Sequence, residues 1–137
     1  MLRGLVVDLY GVLTDVGGEI VDGIEPPLVD ALKLARAKGI VTALVSNSDA
    51  LDAQVVRWAD LFDAIVLSGQ VGVAKPNPGI YLMAAEQLGL IPEQCVFVDD
   101  LPENVRGAVQ VGMVGIHHTD PRATLDELAI LFEIPFG

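Results

Sequence analysis

Five short apolar runs constrain this chain more than any other feature: Leu2 to Leu9, Ile40 to Val45, Ala64 to Leu67, Cys95 to Val98 and Val114 to His117. Rich in Val, Ile and Leu, with little polar alternation, they read as strands buried on both faces. Helical patterns lie between most of them. Pro27 opens one over Leu28, Ala31, Leu32 and Ala35, with Gly39 as its stop, and Asp49 is placed to cap a second through Leu51, Val55 and Trp58. A third runs from Pro78 through Ile80, Met83, Ala84 and Leu88 to Gly89, a fourth from about Glu103 to Val111 before Gly112, and a fifth from Thr124 to Phe132. Such alternation predicts an α/β fold in which a five-stranded parallel sheet is covered by helices on both sides.

A length of 137 residues suits one domain, so residues 1–137 are expected to form a single unit. With 52% hydrophobic and 20% charged residues the chain can bury a real core. Eight Lys and Arg against 19 Asp and Glu give a net charge of −11. That balance argues against nucleic acid and anionic membrane as partners, because each phosphate contact needs a cation. Cys95 is the single cysteine and sits in an apolar run, so a buried, reduced thiol is expected. Asp8 interrupts Leu5-Val6-Val7 before a leader-type apolar region forms, and no apolar run approaches the ~18 residues of a membrane span. A cytoplasmic location is the expectation.

In a parallel sheet, ligands bind beyond the carboxyl ends of the strands, where the strand order reverses. The first strand runs into Asp8-Leu9-Tyr10-Gly11-Val12-Leu13-Thr14-Asp15, the second into Ser46-Asn47-Ser48, and the fourth into Asp99-Asp100. A glycine-containing loop carrying Lys75-Pro76-Asn77-Pro78 follows the third. Singly, Asp8 or Asp99 could end a strand, Ser46 could cap a helix, and Lys75 could be a solvated cation. Jointly they bring carboxylates, hydroxyls and an ammonium to one sheet edge where packing demands none of them. Lys75 is moreover one of only three lysines.

The run Asp8-Leu9-Tyr10-Gly11-Val12-Leu13, the strand ending Ser46-Asn47, the segment Lys75-Pro76-Asn77-Pro78, and Val96-Phe97-Val98-Asp99-Asp100-Leu101-Pro102-Glu103-Asn104 together resemble the four ordered motifs of the haloacid dehalogenase-like hydrolase superfamily. The resemblance covers almost the whole chain. It implies a Rossmann-like three-layer α/β/α sandwich and a nucleophilic carboxylate at Asp8, which would form a covalent aspartyl intermediate. It further implies that the Ser46 hydroxyl bonds the transferring phosphoryl group and that Lys75 offsets the charge on nucleophile and phosphate. In the phosphatase branch a Mg²⁺ ion would be held by Asp8, the main-chain carbonyl of Tyr10 and Asp99, with Asp100 reaching it directly or through water. Such an ion suits hard oxygen donors and would relieve the repulsion among neighbouring carboxylates. Gly11 and Asn47 are further candidates for substrate contact.

One position departs from the pattern. Family phosphatases carry an aspartate two residues after the nucleophile as general acid and base, whereas this chain has Tyr10. Acid–base catalysis contributes typically ~10²–10⁴-fold, so a phosphatase without it should be slow unless its leaving group is already good. Tyrosine at that position resembles the 2-haloacid dehalogenase branch, where halide leaves without a proton. Asp99-Asp100 weighs against that reading, because the dehalogenase branch works without metal and two carboxylates would repel a halo-acid. A third reading is a catalytically weak module that binds phosphate or metal and serves a partner.

Residues 12–26 leave room for a β-flap but not for a cap domain, and residues 67–95 are filled by the lysine loop and one helix. An uncapped, open site favours a macromolecular phosphate, or a small phosphorylated substrate sheltered by a homodimer partner. Ile134-Pro135-Phe136 is the terminal candidate for such a surface, while Trp58 and Phe62 are expected in the core. His117 and His118 read as surface or edge residues whose rings point to opposite faces and cannot share a metal. Asp15 is expected to cap the turn before Gly17-Gly18, and Glu103, Asn104 and Arg106 to serve a helix start.

Overall fold

In the computed structural model, residues 1–18, 23, 25–50 and 56–136 are described. The strands are β1 (Gly4–Val7), β2 (Val41–Ser46), β3 (Ala64–Leu67), β4 (Cys95–Asp99) and β5 (Val114–His117). The helices are α1 (Pro27–Ala37), α2 (Ser68–Val71), α3 (Pro78–Gln87), α4 (Pro102–Gln110) and α5 (Pro121–Phe132). All strand pairs are parallel, in the order β3-β2-β1-β4-β5. The first three strands step outward on one side of β1 and the last two on the other. The reversal therefore falls at β1, and the crevice beyond its carboxyl end is where a ligand site belongs.

Each inner strand divides its side chains between two cores. Leu5 and Val7 of β1, Leu44 of β2, and Val96 and Val98 of β4 pack with Leu28, Leu32 and Ala35 of α1 and Leu128 of α5. Their neighbours Val6, Ala43, Val45, Cys95 and Phe97 pack with Ile80, Tyr81, Ala84 and Ala85 of α3 and Ala108 of α4. Alternation with a period of two thus feeds both layers, which is why the strands read as continuously apolar. Burying a Leu, Val or Phe side chain contributes about 1.5–3 kcal/mol, and β1, apolar from Leu5 to Val7 and wholly buried, is the mechanical centre of the molecule.

Tyr81 meets Phe97 edge to face at 5.1 Å between ring centres, and its hydroxyl donates to the carbonyl of Asn104 at 2.6 Å. Burial, reinforced by the charge of Asp99, pushes that phenol well above its ordinary range. Cys95 is buried and free, its thiol pushed up to about 11 by burial and then by Glu93, as expected of an inert core thiol.

Most elements lie where the sequence places them, with β3 and β5 matching residue for residue. β1 is shorter than Leu2 to Leu9: it stops before Asp8, and Leu9 to Leu13 fold into a compact turn with Tyr10 extended and Gly11 at φ 83°. Of the helix expected after Asp49 through Leu51, Val55 and Trp58, residues 51–55 lie outside the described residues, as do residues 19–22 and 24 of the expected flap. Trp58 is buried and Phe62 packs half-buried against the first core, as expected. Phe136 is also buried, against Phe132 at 6.4 Å, so the terminal segment closes the core instead of offering an apolar surface. Among the described residues, no inserted domain interrupts the sandwich. Among the described residues, no helix is long and apolar enough to cross a membrane.

Met1 and Ile134 both lie near the amino end of the sheet. Met1 and Leu2 line a depression of about 400 Å³ together with Phe132, Glu133 and Ile134.

Candidate active site

Asp8 follows β1 directly, and its amide donates to the carbonyl of Val98 at 3.0 Å, which fixes it at the β1–β4 edge. The chain then turns sharply. Gly11 is required there, because its φ of 83° is left-handed and a β-carbon would strike the carboxylate of Asp100. The Gly11 amide donates to the Thr14 hydroxyl at 3.1 Å, bracing the turn. Asp8 and Asp100, 92 residues apart, are brought together by the β1–β4 pairing and this glycine.

Lys75 arrives from the β3 side. The Asn47 side chain clamps its main chain, accepting from the Lys75 amide at 2.9 Å and donating to the Lys75 carbonyl at 3.1 Å. From that anchor the ammonium donates to Asp8 Oδ1 at 2.8 Å, Asp99 Oδ2 at 2.8 Å and the Val45 carbonyl at 3.0 Å. All three donors of a lysine are thereby used, and its side chain is 1% exposed. Removing one partner of such a buried cluster leaves an uncompensated charge, at a cost of about 3–5 kcal/mol.

Asp99, fully buried, accepts from the Leu101 amide at 2.9 Å on Oδ1, and from Lys75 and the Asn104 side chain (3.2 Å) on Oδ2. Burial pushes the Asp8 carboxyl up to about 6; Lys75 pulls against that rise and the charge of Asp99 adds to it. Asp100 is partly exposed, and its carboxylate meets no hydrogen-bond donor among the described residues.

Oxygens of Asp8, Asp99 and Asp100 all lie within 4.8 Å of one another. Three hard anionic oxygens opposed by one ammonium leave the cluster with excess negative charge. The donor chemistry fits a small divalent cation, and of the three Asp100 has the most open carboxylate.

These groups border a depression of about 220 Å³ lined by Asp8, Tyr10, Ser46, Asn47, Lys75, Asp100, Leu101 and Asn104. Six of the eight residues singled out in the sequence line it. Gly11 and Asp99 stand behind the wall, Gly11 shaping the turn and Asp99 holding Lys75. Ser46 is buried and accepts from the Ser48 hydroxyl at 3.0 Å. Asn47, a candidate for substrate contact, is also the clamp on the lysine loop. Larger depressions elsewhere, such as one of about 380 Å³ lined by Arg3, Gly39 and Leu90, carry no comparable convergence of charged groups.

Two residues were under-read in the sequence. Asn104 looked like a helix-start residue, but its side chain turns inward onto Asp99 and is buried. A polar residue at a helix's inward-facing position two places after a Pro is the signal that marks it. His118 is not a surface residue. It is buried because its ring bridges two elements: Nδ1 lies 2.7 Å from the Thr124 hydroxyl of α5 and Nε2 lies 2.7 Å from Asp15 Oδ2. Asp15 still caps the turn as expected, accepting from the Gly17 amide at 2.9 Å on its other oxygen. His117 is exposed at the sheet edge, its Nε2 3.0 Å from the Asp100 carbonyl.

Comparison with known proteins agrees with this geometry. The chain is 36% identical over 106 residues to a sesquiterpene phosphatase of Aspergillus oryzae, covering 74% of this chain and 54% of that protein. It is 32% identical over 119 residues to a phosphorylated carbohydrates phosphatase of Thermotoga maritima, covering 80% and 55%. The chain spans from about a tenth to about half of the length of the curated relatives it matches. An uncharacterized protein from Corynebacterium glutamicum superposes with a TM-score of 0.84 at 31% identity, over 98% of this chain and 97% of that one. Residues 16–112 match the family model described as haloacid dehalogenase-like hydrolase. A reversal of strand order at β1, carboxylates at the ends of β1 and β4, a lysine between them and these likenesses agree: the chain belongs to the haloacid dehalogenase-like hydrolase family.

Proposed function

We propose that the protein hydrolyses a phosphate ester or acyl phosphate through an aspartyl-phosphate on Asp8, with Mg²⁺ as its cofactor. The observation that carries this is the bridge from Lys75 to Asp8 and Asp99 beside the open carboxylate of Asp100. Lys75 pins one oxygen of Asp8, and this fixes the rotamer from which the carboxylate attacks phosphorus. As the Asp8–phosphorus bond forms, the bond to the leaving oxygen breaks and takes its electron pair with it. Ser46 and Asn47 lie where they can orient the phosphoryl oxygens. Water then adds to phosphorus, and the electron pair of the Asp8–phosphorus bond returns to the carboxylate. Asp8, Asp100, Asp99 and the Tyr10 carbonyl would hold Mg²⁺, which supplies charge neutralisation for an anionic substrate entering an acidic site.

Phosphorylated small molecules and phosphate groups on macromolecules both reach an uncapped site, and a second copy of the chain would shelter the former. We place the protein in the cytoplasm. Dehalogenation is favoured by Tyr10 alone and would set a halo-acid carboxylate beside Asp100. A non-hydrolytic binding module would need no nucleophile held ready by a buried lysine.

Asp8→Asn should abolish turnover of p-nitrophenyl phosphate while calorimetry still detects weakened Mg²⁺ binding. Undiminished turnover in that variant would rule out the covalent route. Halide release from chloro- or bromo-acids in the presence of EDTA would move the reading to dehalogenation.

A further inference from the structure

Resting on the phosphoryl-transfer reading above, we infer that the substrate is an aryl phosphate, an ester whose leaving group departs as a stable phenolate and whose remaining body is apolar. Three features of the depression lead there.

The first is the set of proton donors. Asp8 is the nucleophile, and Asp100 is a partly exposed carboxylate in the cluster that would hold a cation. The donors of Lys75 are committed to Asp8, Asp99 and Val45. The hydroxylic groups lining the depression are Ser46 and Tyr10, and even a phenol is a weaker acid than a carboxyl by about six pK units. It therefore drives proton transfer to a departing alkoxide far less than the usual aspartate would. A phenolate needs no such help, being a far weaker base than an alkoxide.

The second is the rim. Tyr10 and Leu101 both line the depression and are 53% and 46% exposed. Single exposed apolar side chains are ordinary, but these two flank a floor made of carboxylate, hydroxyl, amide and ammonium. An aromatic ring attached to the phosphate oxygen would cover both. The third is charge and size. Lys75 is the one basic residue lining the depression among the described residues, and its charge is opposed by Asp8 and Asp99. Among the described residues no further cation lines the depression to meet a second phosphate or a carboxylate, and about 220 Å³ admits a phosphate and the first ring of the leaving group with the rest outside.

In the transfer step Asp8 bonds to phosphorus and the phosphorus–oxygen bond to the ring breaks, its electron pair leaving on the phenolate. Water then releases inorganic phosphate from Asp8 and gives its proton to solvent.

The test uses the Mg²⁺-loaded full chain with phenyl phosphate, benzyl phosphate and glycerol phosphate. Phenyl and benzyl esters share an apolar body and differ in leaving-group basicity. kcat/KM is expected to be at least ~10²-fold higher for phenyl than for benzyl phosphate, and lowest for glycerol phosphate. Tyr10→Asp should raise benzyl phosphate turnover by ~10²-fold and close most of that gap. Leu101→Ser should raise KM for phenyl phosphate several-fold with kcat retained. Benzyl phosphate turned over within a few-fold of phenyl phosphate, or glycerol phosphate preferred, would overturn the inference while leaving phosphoryl transfer intact. Activity that survives Asp8→Asn would instead overturn the phosphoryl-transfer reading beneath it.

Discussion

Asp99 is fully buried, and its four hydrogen-bonding sites are mostly occupied by Leu101, Lys75 and Asn104. Its main work is to fix where the ammonium of Lys75 sits, and Asn104 fixes Asp99 in turn. Replacing Asn104 removes one bond to a charged oxygen, of the kind worth about 1.5–3 kcal/mol, and leaves the main-chain bond from Tyr81 untouched. Asn104→Leu is therefore expected to lower kcat/KM by about 10–100-fold with the fold retained. Asn104→Asp should be worse, since it sets a second carboxylate against Asp99. Steady-state kinetics on the two variants checks this, and the reverse order would mean that Asn104 acts by packing alone. Asp8, Ser46, Lys75 and Asp99 were legible because each is a polar residue at the end of an apolar strand or in the loop beyond one. Asn104 was not, because a helix-start asparagine looks the same whether it faces solvent or a buried carboxylate.

At the level of elements, strand pairing and helix ends were written in short-range pattern: apolar runs, Pro at the first helical turn, Gly after the last. Cross-links between distant elements were not. The clasp from Asp15 through His118 to Thr124 joins the loop after β1 to α5, with Asp15 and His118 103 residues apart in sequence. Nothing local marks it, because each of its three residues has an ordinary turn, edge or helix role. Among the described residues, His118→Phe would leave the Thr124 hydroxyl without its partner and the Asp15 carboxylate with only the Gly17 amide. It is expected to destabilise the chain by about 1–3 kcal/mol, read as a lower urea midpoint at unchanged slope. A changed slope would place the effect in the unfolded chain.

For the whole molecule, acidity and metal affinity act on stability in opposite directions. The folded Asp8 titrates at about 6 against an ordinary 3.8, so without metal the folded state binds its proton more tightly than the unfolded state does. Its contribution is therefore most favourable below pH 4 and is lost as pH rises through 6. Asp63 runs the other way. Burial would raise it, but the Thr42 amide and Arg36 hold it below the ordinary range, so its stabilisation is present above pH 4 and lost in stronger acid. Mg²⁺ needs the ionised Asp8 and should reverse the first trend. The rise in Tm on adding Mg²⁺ is expected to be clearly larger at pH 7 than at pH 5, and an equal rise at both would exclude Asp8 as a ligand.

Met1 and Ile134 share a depression at the amino end of the sheet, whereas every reacting group stands at the carboxyl end. The thickness of the sandwich separates that depression from the chemistry. A protein seated over Met1 and Ile134 would lie below the sheet and leave the mouth of the site open to solution.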